Sequence, residues 1–281
     1  DGWTWEDMTL RAPVGLHIQW PRMRPVQAWW VEHSTSEQNE ERDEQLKSLR
    51  EAFELAADYQ KAKEAGDPAD PTVDARWQSL LPVLAGRVPI IVHANSASEI
   101  QAAVAFAAAR SMKLIIYGGY DAPHCAPLLK QHKVPVIIGS VYRLPRRRSD
   151  AFDDAYTLPT RLHKAGIQFC IAGVDRFGAS NLRNLPYHAA TAVAYGLPED
   201  EAIKALTLYP AQILGVASRV GSLEVGKDAT LIVTTGNPLE TPSQVERAFI
   251  QGRVVDLNSR HTRLWKKYQV KYDRIRDAVD D

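Results

Sequence analysis

The sequence predicts an α/β fold, a parallel sheet covered by helices, followed by a small β module. Three observations predict it. Short, continuously apolar runs recur between residues 88 and 172, as in strands buried on both faces. Helical segments with explicit start and stop signals lie between those runs. After Gly215 the rhythm changes to short strands separated by turn residues.

The elements follow in order. Val14–Trp20 is apolar and closed by Pro21, which predicts a strand. In Glu37–Ala65, Leu46, Leu49, Phe53, Ala56 and Ala57 fall near helical spacing on an otherwise charged segment. That predicts a solvent-facing amphipathic helix. Gly66, Pro68 and Pro71 then break the chain, and residues 34–86 form a helical insertion. Val88–Val92 is the second apolar run, followed by a helix opened by the capping box Ser96–Glu99. Leu114–Tyr117 is the third run, with a helix starting at Pro123. Val134–Ile138 is the fourth, with a helix over Leu158–Ala165 stopped by Gly166. Ile167–Ala172 is the fifth, with a helix over Pro186–Tyr195 stopped by Gly196. Val220–Val225, Ala229–Thr234 and Val245–Val255 are expected as antiparallel strands of the β module. The tail, residues 258–281, is expected to be a helix packed through Leu264, Trp265, Tyr268 and Tyr272. The organisation is therefore a Trp-rich lead-in with the first strand (1–33), the insertion (34–86), βα units (87–215), the β module (216–257) and the tail.

Composition narrows the function classes. Lys plus Arg is 34 and Asp plus Glu is 34, so the net charge is zero. That argues against nucleic acid as the main partner. No stretch approaches the roughly 18 apolar residues of a membrane span. Cys125 and Cys170 are too few for a disulfide framework or a four-cysteine zinc site. The first residue is Asp, so a processed product or fragment is expected. A soluble protein is predicted, with cytoplasm and periplasm both open.

In βα units, chemistry collects at the C-terminal ends of the strands. There the sequence places His17–Trp20, His93–Asn95, Gly118–Asp121, Ser140–Arg143 and Gly173–Arg176. A His ending one strand and an Asp ending another start a metal or acid/base site. The run Arg143, Arg146, Arg147 and Arg148 lies on the same side. It either clamps a substrate carboxylate or pairs with Asp150, Asp153 and Asp154.

Residues 87–255 resemble the C-terminal half of the amidohydrolase superfamily, in particular its imidazolonepropionase-like and prolidase-like members. The resemblance is densest in EAIKALTLYPAQILGV and RVGSLEVGKDATLIVTTGNPLE. It implies the C-terminal part of a (β/α)8 barrel, strands 4–8, followed by a small β-sandwich module. It further implies a divalent metal, zinc first and one ion rather than two, with none as the alternative. Carried over by residue, His93 in PIIVHAN matches the strand-5 ligand. Asp175 in CIAGVDRFG matches the strand-8 Asp, a ligand and general base. Gly118 stands where the strand-6 His belongs, and no Lys or Glu ligand is evident in VGLHIQWP. His17 and His124 are the substitutes at hand. Tyr120, Tyr142, Arg143 and Arg176 are expected to contact substrate. Bland readings stay open beside these: His93 as a structural strand-end histidine, Asp175 as a turn or cap residue, His124 as part of a first helical turn.

The function implied is hydrolysis of an amide or cyclic-amide C–N bond in a small or peptide-like molecule at a degenerate metal site. The alternative is a non-catalytic subunit of the same fold with a structural or binding role. About five parallel strands do not close a barrel. The expectation is an oligomer, or completion by a second chain or by the N-terminal half of a longer one. The tryptophans at positions 3, 5, 20, 29 and 30 would then be buried at that junction.

Overall fold

The computed structural model describes residues 4–66, 73–173 and 178–280. Five parallel strands form one sheet: β1 (Leu16–Gln19), β2 (Ile90–Ala94), β3 (Leu114–Gly118), β4 (Val136–Ile138) and β5 (Phe169–Ile171). Their order in space is their order in the chain, β1-β2-β3-β4-β5. Each therefore connects to its neighbour by a crossover, as parallel pairing requires.

The two faces of the sheet are distinct. Ile18, Ile90, Val92, Ile116, Val136, Ile138, Phe169 and Ile171 point into the main core beneath the helices. On the opposite face Ile91, Ile115, Ile137 and Cys170 form a second, smaller buried row. Tyr209 and Ile213, from the helix Leu208–Ile213, pack against that row. Both faces are buried along β2–β5, so these strands read as continuous apolar runs, whereas β1 alternates and buries only Ile18. Burial also pushes the Cys170 thiol up to about 12, so it stays protonated and acts as a small apolar side chain.

Local chemistry sets the helix boundaries. Ser34 and Glu37 close a capping box before the helix Thr35–Ala65, and Gly66 ends it in the left-handed region. This long helix buries only Phe53 and Ala56, as a solvent-facing insertion should. Phe53 lies edge-on to Phe106 at 5.4 Å. Ser96 and Glu99 form the same box before Ala97–Ala108, which buries Ile100, Ala103, Val104, Phe106 and Ala107. The segment expected to be helical from Pro123 is a 3-10 turn, Ala122–Cys125, leading into Ala126–Gln131.

The second module is an antiparallel sheet of β6 (Leu231–Thr234), β7 (Val245–Ile250) and β8 (Arg253–Val254). The stretch expected as one strand over 245–255 is a hairpin. Gln251 and Gly252 both adopt positive φ, as a two-residue turn of this hand requires. The strand expected at Val220–Val225 does not form. Gly221 and Gly226 turn the backbone at either end through positive φ, and Lys227 is bound by Ser222 and Glu224. Those side chains fold the segment on itself instead of offering it to a ladder. The tail helix Arg260–Asp280 forms, but Leu264, Trp265, Tyr268 and Tyr272 remain exposed rather than packed. Of the N-terminal tryptophans, Trp20 is a core residue set edge-on to Phe106 at 5.6 Å, while Trp5, Trp29 and Trp30 are exposed. Trp3 lies outside the described residues. No helix among the described residues is long and apolar enough to cross a membrane.

Candidate functional site

The C-terminal ends of β1, β2 and β3 bring three side chains into one row on the sheet face opposite the main core. Register pairs Gln19 with His93 and His93 with Tyr117. His17, two residues before Gln19, points the same way and reaches diagonally across. Its Nδ1 lies 2.8 Å from His93 Nε2. The other side of the His93 ring meets the Tyr117 ring at 4.4 Å between centroids.

A hydrogen bond between two imidazole nitrogens needs one donor and one acceptor, so at least one ring must be neutral. His93 is the ring with the lowered pKa, first because of burial and then because of the charge His17 acquires. Tyr117 is pushed upward by burial and then by Tyr120, so its hydroxyl stays protonated. Two consequences can be measured. His17→Gln is expected to raise the pKa of His93 while leaving it below the usual 6.5, read from ring nitrogen shifts by NMR. An unchanged value would mean that the rings do not couple. A His held neutral in the folded state supports stability above its unfolded pKa. That contribution is lost as pH falls through the depressed value.

A cavity of about 240 Å³ opens beside this row, lined by His93, Asn95, Tyr117, Gly118, Tyr120 and Arg146 among others. Asn95 Oδ1 is buried there without a hydrogen-bond partner. Gly118 adopts φ +97°, and a Cβ on it would overlap that same Asn95 oxygen. Register places Tyr117, not Gly118, opposite His93 on β3. The side-chain slot facing His93 is thus filled by an aromatic ring.

The remaining candidates are placed as follows. Tyr120 lies at the cavity with the Arg143 guanidinium 4.0 Å and the Arg146 guanidinium 5.4 Å from its ring centre. Arg143 is engaged by Asp154 at 2.7 Å. Asp154 also takes Arg161 at 2.6 Å. Tyr142 turns to the helix Leu185–Ala194, where its hydroxyl donates to the Tyr187 carbonyl at 2.8 Å. His124 is exposed in its 3-10 turn; its backbone N–H donates to the Asp121 carbonyl at 3.0 Å, and its side chain has no hydrogen bond or ion pair among the described residues. Asp175 and Arg176 lie outside the described residues. Sequence reasoning had not singled out Tyr117 or Asn95 as site residues, nor Arg22 and Arg24 in the loop after β1. The signal for the arginines was their position just beyond a strand end.

Residues 6–256 match the model of the amidohydrolase family. Amidohydrolase tasK of Hapsidospora irregularis is 22% identical over 186 residues, covering 64% of this chain and 18% of that protein. The crystal structure of an amidohydrolase from Thermotoga maritima MSB8 superposes with a TM-score of 0.72 at 26% identity. That match covers 89% of this chain and 64% of the other. A Xaa-Pro dipeptidase solved with methionine in its active site is 22% identical, at a TM-score of 0.43 over 60% of this chain and 45% of its own. The chain thus spans less than two thirds of the length of each of these relatives.

Proposed function

The chain belongs to the amidohydrolase family, and from that premise we propose that it carries the working end of a hydrolase acting on an amide or cyclic-amide C–N bond. The observation supporting this reading is the hydrogen-bonded His17–His93 pair at the strand ends, of which His93 lines a cavity of about 240 Å³. A neutral imidazole there takes a proton from water as the water oxygen bonds to the carbonyl carbon. The C–N bond then breaks, and the proton passes to the leaving nitrogen.

The family resemblance implies a divalent metal. A catalytic zinc takes three protein ligands. The described residues supply two imidazoles, with Nδ1 of one and Nε2 of the other turned on each other. No group of three His, Cys, Asp or Glu able to hold an ion occurs among the described residues. These residues do not by themselves fit the metal. The filled slot at Tyr117 favours a second reading, a non-catalytic subunit that binds rather than cleaves.

The deciding experiment follows amine release from N-acyl amino acids, cyclic amides and dipeptides by the full-length protein, with metal content measured alongside. The hydrolase reading expects turnover that His93→Ala lowers by about 100-fold or more. No turnover on any member of that panel, with no stoichiometric metal bound, would leave the binding subunit.

The open sheet belongs to the same proposal. Among the described residues β1 pairs only with β2, and β5 only with β4. Further strands, from a longer chain or a second polypeptide, complete the barrel in this reading, because unpaired edges invite association. Light scattering on the isolated 281-residue chain is expected to show association or insolubility. A cooperatively folding monomer would refute it.

A further inference from the structure

Two loops from distant parts of the sequence deliver arginines to one place. Arg22 and Arg24 come from the loop after β1, and Arg146 and Arg147 from the loop after β4. All four line an open bowl of about 500 Å³, next to the first turn of the helix Ala97–Ala108. Two carboxylates share the bowl, and both are already committed. Glu99 accepts from the backbone N–H groups of Asn95 at 2.8 Å and Ser96 at 3.0 Å. Asp121 accepts from Ala97 N–H at 3.0 Å and takes the Arg147 guanidinium on both oxygens. Arg147 is therefore neutralised, with Asp150 as a further partner.

Arg22, Arg24 and Arg146 remain. None of them has an ion pair among the described residues. Three guanidinium groups without an ion-pair partner line one concavity, and each keeps its donors unused. A neighbouring exposed arginine of the same loop, Arg148, does not line the bowl, so the convergence is not a general property of a basic loop. Arg22 and Arg146 also line the smaller cavity that contains His93. The bowl thus adjoins the cavity that His93 lines.

We propose that this bowl is a binding site for an oxyanionic group, a carboxylate or a phosphate, held by Arg22, Arg24 and Arg146. The guanidinium fork matches either group through paired N–H donors. Glu99 and Asp121 stay engaged by their backbone donors and hold the loops while the anion supplies the missing charge.

The test is calorimetric titration of the full-length protein at low ionic strength, with inorganic phosphate in one arm and succinate in the other. Saturable binding is expected in at least one arm, and the tighter probe identifies the anion class. Arg22→Gln and Arg24→Gln are each expected to weaken binding at least tenfold, and Arg24→Lys to weaken it less than Arg24→Gln. Arg148→Gln is expected to leave it unchanged. Near-ultraviolet circular dichroism confirms that each variant is folded. These arginines are exposed, and Arg24→Lys provides a conservative variant should Arg24→Gln misfold. Two results overturn the proposal: no saturable binding of either probe, or equal weakening by Arg148→Gln, which would mean diffuse attraction. The measurement needs no turnover, so it stands or falls apart from the hydrolase reading.

Discussion

Replacing Ile116 by Ala is expected to destabilise the protein by roughly 2–5 kcal/mol. Ile116 sits in β3, the central strand of the five, and is fully buried among the side chains beneath the helices. Its removal takes away the transfer free energy of the deleted carbons. It also leaves a cavity that strands on both sides prevent from collapsing. Against a typical domain stability of about 5–15 kcal/mol, the loss is large. The midpoint of urea unfolding measures it. Ile232→Ala, on the exposed strand β6, is the comparison, with an expected change within about 0.5 kcal/mol. Equal effects at the two positions would mean that the helix-covered face is not the main core.

The second large effect is expected at Asp154. It lies between Arg143 and Arg161, with its side chain only 20% exposed. Burial alone would push its carboxyl up. The hydrogen bond from Arg143 and the charge and hydrogen bond of Arg161 outweigh that and hold it below the usual carboxylate range. Asp154→Ala leaves two guanidinium groups facing each other in a confined space, at a cost of roughly 3 kcal/mol. The figure belongs at the lower end of its range, because Arg161 is about a third exposed. A lowered carboxylate pKa stabilises the fold above the unfolded value of about 3.9, and that stability is lost as pH falls through the folded value. The gap between the native protein and Asp154→Ala should therefore narrow on acidification. Replacing Arg143 by Met in the Asp154→Ala background should recover part of the loss. A gap independent of pH would assign the damage to packing rather than charge.

Much of the fold was legible in the sequence because the signals were local. Continuous apolar runs marked β2–β5, an apolar stretch closed by Pro21 marked β1, and the Ser96–Glu99 box marked the start of its helix to the residue. The lost strand at Val220–Val225 shows where locality fails. Its valines and leucine look like a strand, yet hydrogen bonds from Lys227 Nζ to Ser222 and Glu224 turn the segment back. The tail illustrates another limit. Helical periodicity reports an apolar face but not whether anything covers it. In the site, His93 was legible from its place at a strand end. Its contact with His17 was not, because the two lie 76 residues apart and meet only through the parallel register of β1 and β2. The pairing of Tyr117 with His93 also depends on register, since a one-residue shift along a strand changes the face presented.

The crowding between Gly118 and Asn95 has a historical consequence. Positive φ at residue 118 already penalises every residue with a Cβ, and the Asn95 side chain fills the space that a Cβ would enter. A mutation at 118 therefore meets the backbone barrier first, because the Asn95 oxygen ends a side chain that can swing aside. Descent through this position is constrained by its own φ more than by its neighbour. In a saturation library, Asn and Asp, which tolerate positive φ best, should be the replacements of Gly118 that survive most often.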